Sequence, residues 1–270
     1  MVDSGRDRLA GMFAQVRKDN RAVLLPYLTA GIPTFDDSVR LFVAMADAGA
    51  DGFEVGIPYA DPLMDGPVIM EAGEKALDAG VTVSVALDLV GRVVEETGKP
   101  VLVMTYVNPV LRRGIGTFFA EVAEAGAVGL IIADLPANEA APFLEAAGET
   151  GLALSLFVAP NTDDGRLAAV LAAEPTFVYA VAEVGITGER GAASSNTERL
   201  TERIRERSDV PIVFGVGIST PEHAAAAARH GDGVIVGTAI VRRVLQSETA
   251  AAAEIELSAF VRDLASAVRR

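Results

Sequence analysis

The chain of 270 residues is half hydrophobic, has no cysteine and carries a formal net charge of −14 at pH 7. This charge disfavours nucleic acid and anionic membranes as partners, and the lack of cysteine excludes disulfides and thiolate chemistry. No apolar run reaches the ~20 residues that span a bilayer. The charged segment Met1–Asn20 does not have the character of a signal peptide, so we expect a cytoplasmic protein.

Along the chain, short apolar runs alternate with longer amphipathic segments. A first helix is predicted at Arg8–Val16. Eight runs then predict strands buried on both faces: Ala22–Leu28, Asp51–Val55, Val101–Tyr106, Gly129–Asp134, Leu152–Val158, Thr176–Val181, Pro211–Gly215 and Gly233–Gly237. Helical spacing predicts further helices at Asp37–Ala48, Val81–Thr97, Phe118–Ala125, Asn138–Ala147, Pro221–Arg229, Ala239–Val244 and Ala250–Val268. Asp36 or Asp37 is the predicted N-cap of the helix after the first strand.

This alternation is typical of βα units with parallel strands. Eight units without a linker favour a closed (β/α)8 TIM barrel with an extra N-terminal helix over a doubly wound sheet, although the repeat count alone does not decide between them. We expect residues 1–270 to form a single domain. In such a barrel the active site lies on the loops that follow the strands, which is where candidate residues are sought.

The composition limits the chemistry available at that face. The three lysines, Lys18, Lys75 and Lys99, fall in helices or before a strand, so no Schiff-base lysine is expected there. The two histidines, His223 and His230, belong to the helix after the seventh strand. Two histidines on one helix and no cysteine do not indicate a catalytic zinc site at this face, and no metal is predicted. Acid–base chemistry at neutral pH therefore falls to carboxylates or tyrosines.

Two carboxylates at the second strand are the first candidates. Glu54 lies within an apolar strand, where it is either a functional group or a structural carboxylate bonded to backbone amides. Asp65 lies in the loop Gly56–Pro67, which three prolines stiffen. It is either an N-cap or turn aspartate or a functional group held in a preset place. The tyrosines at the same face are Tyr27, Tyr59, Tyr106 and Tyr179.

Glycine-rich turns after the last two strands predict a phosphate site. The turn Gly215–Ser219, which contains Gly217, follows strand seven, and Gly237 and Thr238 follow strand eight at the start of a short helix. Backbone N–H groups at such turns and helix N-termini bind phosphate without a lysine. With Gly188 available from the loop after strand six, a phosphate site is favoured over tight turning alone.

Residues 53–67, FEVGIPYADPLMDGP, closely resemble the signature of the tryptophan synthase alpha chain family. Similar segments follow in the expected order at PYLTAG (26–31), MTYVNP (104–109), ADLP (133–136), GITG (185–188), GVGIS (215–219) and GTAI (237–240). The resemblance implies a lyase that cleaves indole-3-glycerol phosphate to indole and glyceraldehyde 3-phosphate, with no cofactor in this chain. The departures are Ala60, Phe177, Glu183 and Thr238, where other residues are common in the family.

The resemblance also implies roles for individual residues. Glu54 matches the general acid–base group, Asp65 the carboxylate beside the indole nitrogen, and Tyr179 a tyrosine near the reacting carbon. Positions matching the indole pocket are Tyr27, Tyr106, Ile131, Ala133, Val158 and Val216, although ordinary core packing uses the same aliphatic side chains. Thr187 matches a residue that contacts the Asp65 side.

A partner is implied as well, namely the tryptophan synthase beta chain in an α2β2 assembly. Asp61 and Pro62 correspond to a surface beside that chain and its pyridoxal phosphate, which receives indole. The glycine-rich loop Glu183–Asn196 is expected to be mobile in isolation and to close when the partner binds. The alternatives are a stand-alone lyase and a mainly regulatory activator of a partner. Indoleglycerol phosphate synthase is disfavoured because its family uses lysines at strand ends.

Overall fold

A computed structural model of the chain describes residues 3–181, 190–215 and 217–270. Within these residues eight parallel strands form a closed barrel in sequential order. They are β1 (Val23–Thr29), β2 (Phe53–Gly56), β3 (Val101–Thr105), β4 (Gly129–Ile132), β5 (Ala153–Val158), β6 (Val178–Ala180), β7 (Ile212–Phe214) and β8 (Gly233–Val236). The predicted TIM barrel is confirmed, and every strand boundary lies within two residues of its prediction.

Helices surround this barrel and connect its strands. They are α1 (Gly5–Lys18), α2 (Phe35–Asp47), α3 (Pro67–Asp78), α4 (Val83–Thr97), α5 (Val107–Arg113), α6 (Ile115–Glu124), α7 (Ala141–Thr150), α8 (Asp164–Ala172), α9 (Arg190–Arg205), α10 (Pro221–His230), α11 (Thr238–Gln246) and α12 (Ala250–Ala267). The extra N-terminal helix is confirmed as α1, whose first turn carries a capping box between Ser4 and Asp7. In the described part of the chain, no helix combines the length and apolar character that a membrane span requires.

Several predictions were wrong at helix starts, and the helices predicted from Arg8 and Phe118 begin three residues earlier, at Gly5 and Ile115. The N-cap of α2 is Thr34, whose hydroxyl accepts the N–H of Asp37 at 3.2 Å, so Asp36 and Asp37 lie in the first turn. The predicted helix Asn138–Ala147 begins only at Ala141, after a 3-10 turn. Pro142 explains the later start because proline is tolerated in the first turn and breaks a helix interior.

Side chains inside the barrel lie in layers, because neighbouring strands are staggered and side chains alternate between the two faces of a strand. Following the strand register, one layer contains Glu54, Ile131, Tyr179 and Ile235. The layer below it contains Leu25, Leu102, Ser155 and Val213. Further down, Phe177 lies against Phe13 of α1, with ring centroids 5.8 Å apart. The N-terminal helix therefore closes the end of the barrel opposite the strand C-termini.

Candidate functional site

Glu54 is buried inside the barrel, where only 3% of its surface is exposed. Its Oε2 atom has no hydrogen-bond partner among the described residues. Burial raises the pKa of Glu54 to about 8, and the nearby negative charge of Asp65 acts in the same direction. No backbone amide satisfies that oxygen, which argues against the structural alternative. A carboxyl group in this state holds its proton at neutral pH and can donate it.

Asp65 lies half-buried in the loop between β2 and α3. The N-cap of α3 is Gly66, without a side-chain cap, so the interpretation of Asp65 as an N-cap is wrong. Its backbone N–H donates to the Pro62 carbonyl at 2.9 Å within a turn, and its carboxylate lies beside the hydroxyl of Tyr106. Burial raises the pKa of Asp65, and the neighbouring Tyr106 hydroxyl opposes that shift.

Tyr106 follows β3 and is buried, with 1% of its surface exposed. Its hydroxyl accepts the Met64 N–H at 3.2 Å and lies beside the carboxylate of Asp65. Its ring lies against that of Tyr59, with centroids 5.2 Å apart. Burial, followed by the charge of Asp65, raises the pKa of Tyr106. Tyr106 is therefore a neutral hydrogen-bond donor at the edge of the site.

Tyr27 and Tyr179 fill the barrel interior near Glu54, and glycines make room for both hydroxyl groups. A Cβ atom at Gly56 would lie 2.1 Å from the Tyr27 hydroxyl oxygen, and one at Gly215 would lie 1.9 Å from that of Tyr179. Neither glycine can therefore be replaced without displacing a tyrosine. Burial raises the pKa of both tyrosines, and the charges of Glu54 and Asp65 contribute to both shifts. The two carboxylates and three tyrosines thus form one electrostatic group.

The strands adjoining this group supply apolar walls. Ile131 and Ala133 are both buried, and the register places Ile131 in the Glu54 layer. Val158 pairs with Ala180, whereas Phe157 pairs with Tyr179 and contacts its ring at a centroid distance of 4.6 Å. Because side chains alternate along a regular strand, Phe157 shares the face of Tyr179, so Phe157 is a further candidate for this wall. The sequence holds no signal for Phe157, because its place beside Tyr179 follows from the pairing of β5 with β6.

The turns after β7 and β8 lie at the same end of the barrel. Gly217 is exposed and has a φ of +81°, a backbone conformation that favours glycine. Gly237 is the N-cap of α11, with Thr238 exposed in its first turn. The first N–H groups of a helix have no acceptor within it and point outward. The described part of the predicted phosphate site therefore has the required helix terminus and tight turn.

Several predicted residues lie outside the described part of the chain. They are Thr187 and Gly188 in the loop after β6, together with Val216 after β7. The predicted loop Glu183–Asn196 was too long at its C-terminal end, because α9 begins at Arg190; its residues 183–189, and with them the predicted mobility and closure, lie outside the described part. In the described ranges, no group of three or more histidine, aspartate or glutamate side chains is arranged to hold a metal ion.

Beside the site, the loop after β2 and helix α5 form an open surface. Asp61 is exposed there and Pro62 is half-buried. Leu63, Met64 and Leu111 are 82%, 65% and 52% exposed, respectively. A cavity of about 910 Å³ adjoins Leu111, and its other lining residues include Pro58, Tyr59, Val81, Asn108 and Pro109. Large apolar side chains clustered at a surface mark an interaction site.

Comparisons with known proteins show similarity over almost the whole chain. The family model described as tryptophan synthase alpha chain matches residues 13–269. The tryptophan synthase alpha chain of Streptomyces avermitilis is 43% identical over 97% of this chain and 94% of its own length. The corresponding chain of Streptomyces coelicolor is 43% identical over 95% of this chain and 94% of its own.

Solved structures agree with the sequence comparisons. A chain from the structure of Mycobacterium tuberculosis tryptophan synthase in space group F222 has a TM-score of 0.88 and 40% identity, covering 97% of this chain and 98% of that one. Tryptophan synthase subunit alpha from Legionella pneumophila has a TM-score of 0.87 and 29% identity, covering 97% and 98%. The conserved architecture therefore includes the barrel and the helices that surround it.

Proposed function

The chain belongs to the tryptophan synthase alpha chain family and is a carbon–carbon lyase, and we propose that Glu54 and Asp65 together cleave indole-3-glycerol phosphate in its barrel. The observation that carries this proposal is the buried Glu54 carboxyl group, which lacks a partner for one oxygen and lies within electrostatic reach of Asp65. Ionisable groups in such surroundings concentrate at active sites because burial tunes their pKa toward the working pH.

The cleavage requires two proton transfers. Protonated Glu54 donates its proton to C3 of the indole ring, which produces an indoleninium cation whose positive charge lies near N1. Glu54, now a carboxylate, then removes the proton of the adjacent side-chain hydroxyl. The C–O bond becomes a carbonyl, the C–C bond breaks, and its electron pair restores the aromatic indole. The products are indole and D-glyceraldehyde 3-phosphate, and the carboxyl group has regained its proton.

Asp65 stabilises the cation formed in the first transfer. Its carboxylate accepts a hydrogen bond from the N1–H group, which strengthens as positive charge develops on the ring. Tyr106 supports Asp65 through the hydroxyl contact described above. Tyr27, Tyr179, Ile131 and Ala133 then enclose the indole ring, with Phe157 as a further wall. In a water-poor pocket, these electrostatic interactions are stronger than they would be in solution.

For the phosphate group, we propose binding to N–H groups of Gly217, Gly237 and Thr238, together with Gly188. Gly237→Val is expected to raise KM about tenfold with little change in kcat, because a branched side chain blocks approach to the backbone. Gly237 suits this test because an added Cβ atom would lie 3.5 Å from the Tyr27 ring, an ordinary contact. Steady-state kinetics are compared with Gly11→Ala in α1, where an added Cβ atom meets nothing within 4 Å. An unchanged KM would refute the assignment of Gly237.

The exposed surface at Asp61, Pro62, Leu63 and Met64 is the proposed docking site for the beta chain. Leaving these apolar side chains in water is unfavourable, and burying them against a partner stabilises a complex. The beta chain would carry the pyridoxal phosphate that consumes indole, which gives the released product a direct route to its next reaction. The surface lies on the same loop as Asp65, so docking and catalysis share one segment.

Single-turnover indole release from indole-3-glycerol phosphate, with and without beta chain, tests both the activity and the partnership. We expect slow release by the chain alone and a large gain with beta chain, corresponding to the ~1–3 kcal/mol usual for coupling between sites. Asp61→Ala and Thr187→Val should each reduce the gain more than the basal rate. Asp263→Ala, at an exposed position in α12, serves as the control.

The alternatives give different results in this experiment. If beta chain binds but changes neither the cleavage rate nor the hydrogen exchange of residues 183–196, the chain is a stand-alone lyase. If it releases no indole under either condition yet alters beta-chain turnover, it is a regulatory activator.

A further inference from the structure

A hydrogen bond connects the loop after β2 to helix α5. The side-chain amide of Asn108 donates to the Tyr59 hydroxyl, with 2.9 Å between Nδ2 and the oxygen. Tyr59 lies six residues before Asp65 in the loop, whereas Asn108 is in the first turn of α5. The bond therefore joins two segments that are distant in sequence and meet beside Asp65.

The same tyrosine also contacts the residue that holds Asp65. The rings of Tyr59 and Tyr106 are tilted by 32° with centroids 5.2 Å apart, a geometry that stabilises aromatic pairs. Tyr106 in turn accepts the N–H of Met64, the residue before Asp65, and its hydroxyl lies beside the Asp65 carboxylate. A continuous set of contacts thus runs from Asn108 through Tyr59 and Tyr106 to the carboxylate of Asp65.

Helix α5 gives these contacts a fixed base. At its start, the Asp134 carboxylate accepts the Val107 N–H at 2.7 Å. At its end, Arg113 donates to the Ser84 hydroxyl at 2.8 Å and forms an ion pair with Glu121. A short helix fastened at both ends to neighbouring elements provides a more rigid support than the loop itself.

The three prolines of the loop restrict its backbone locally but do not fix its position relative to the rest of the barrel. Leu63 and Met64 project into solvent, and the short backbone bonds from Leu63 to Asp61 and from Asp65 to Pro62 fix only local turns. A carboxylate that must meet a substrate N–H group needs its position set to within a fraction of an ångström. The contacts to α5 supply that restraint.

We propose that Tyr59 and Asn108 are positioning residues, which hold the loop after β2 on α5 and thereby set the position of Asp65 through Tyr106. This inference rests on the proposed function because it assumes that Asp65 acts on the indole nitrogen. Neither side chain needs to touch the substrate. Their hydrogen bond and the ring contact determine how accurately the loop presents its carboxylate.

The test removes the hydrogen bond from either side. Tyr59→Phe retains the ring contact and loses the hydroxyl, and Asn108→Leu retains similar volume and loses the donor. Each is expected to lower kcat for indole release by the isolated chain about tenfold, with KM within about twofold, as expected for misplacement of a catalytic group. The double variant should be no worse than either single variant, because both remove the same interaction.

A conservative variant provides the rescue. In Asn108→Asp the carboxylate can accept from the Tyr59 hydroxyl, so the bond is restored with its direction reversed, and kcat should recover to within about threefold of the parent. In Tyr59→Phe the same aspartate has no partner, so Asn108→Asp should give no recovery there. Asn138→Leu, which removes only a bond to the adjacent Glu139, is the matched control and should leave kcat unchanged.

Asp65→Asn measured in parallel separates the two hypotheses. If Asp65→Asn abolishes cleavage but Tyr59→Phe and Asn108→Leu leave kcat within twofold, the positioning role is wrong and the proposed function stands. If Asp65→Asn has little effect, the role of Asp65 itself fails. The inference would be overturned if the loss of kcat in the double variant were the product of the two single losses. It would also be overturned if each variant lowered the thermal midpoint together with kcat and Asn108→Asp restored neither.

Discussion

Glu54→Gln is expected to lower kcat for indole release at least ~10²-fold while making the folded protein more stable. The loss follows because glutamine can neither donate a proton to the ring carbon nor remove one from the hydroxyl. The gain in stability follows from the buried position of Glu54, whose ionised form is unfavourable in the barrel. Catalytic need and folding stability therefore oppose each other at this residue.

The gain in stability of Glu54→Gln should increase as pH rises. The folded-state pKa of Glu54, raised by burial to about 8, lies above its ordinary value of 4.5. Between these values the unfolded chain releases the proton and the folded chain retains it, so the free energy of unfolding decreases as pH rises. The amide of Glu54→Gln cannot ionise, so the free energy of unfolding of the variant does not decrease in this way. Its advantage should be absent below the unfolded pKa and reach on the order of 3 kcal/mol at neutral pH.

Denaturant unfolding of both proteins between pH 4 and pH 9 measures this difference. Glu71→Gln is a suitable control because Glu71 is exposed in α3 and forms a surface ion pair with Lys75. Near-normal cleavage by Glu54→Gln would remove the mechanism. A stability difference that stays constant across this pH range would show that Glu54 is not neutral in the folded chain.

The eight strands of the barrel could be predicted from the sequence because each buried strand is a short apolar run between amphipathic segments. The run Val101–Tyr106, for example, is apolar except at Thr105, and a glycine-containing turn separates it from the helix before it. Even so, Tyr106 belongs to the start of α5 and not to β3, which ends at Thr105. The helix was missed because its seven residues include Pro109 and lack a clear amphipathic repeat.

Within the site, the sequence identified which residues are chemically unusual but not how they contact each other. A glutamate in an apolar strand is detectable without a structure, and Glu54 is indeed buried. Val158 was assigned to the pocket through the family resemblance alone, because the run Leu152–Val158 is apolar apart from Ser155 and its pattern does not show which residues face the barrel. The bond between Tyr59 and Asn108 joins distant segments and leaves no local signal.

Asp65→Asn should also lower kcat at least ~10²-fold, but for a different reason from Glu54→Gln. Asparagine retains the size and a hydrogen-bond acceptor and loses the negative charge that stabilises the indoleninium cation. The Tyr106 hydroxyl can still donate to the amide oxygen, so the loop should keep its position and KM should change little. The fold is expected to be intact because Asp65 is neither in the core nor a helix cap.

The pH profile of the residual activity of Asp65→Asn provides an independent check on its proximity to Glu54. The charge of Asp65 helps to raise the pKa of Glu54, so removing it should lower that pKa from about 8. Because the first step needs protonated Glu54, the alkaline decline in single-turnover indole release should then begin at a lower pH than in the parent. Asp61→Asn, on the same loop, is the control and should not change the pH at which this alkaline decline begins. Activity within tenfold of the parent, or an alkaline decline that does not move, would mean that the two carboxylates do not act as one site.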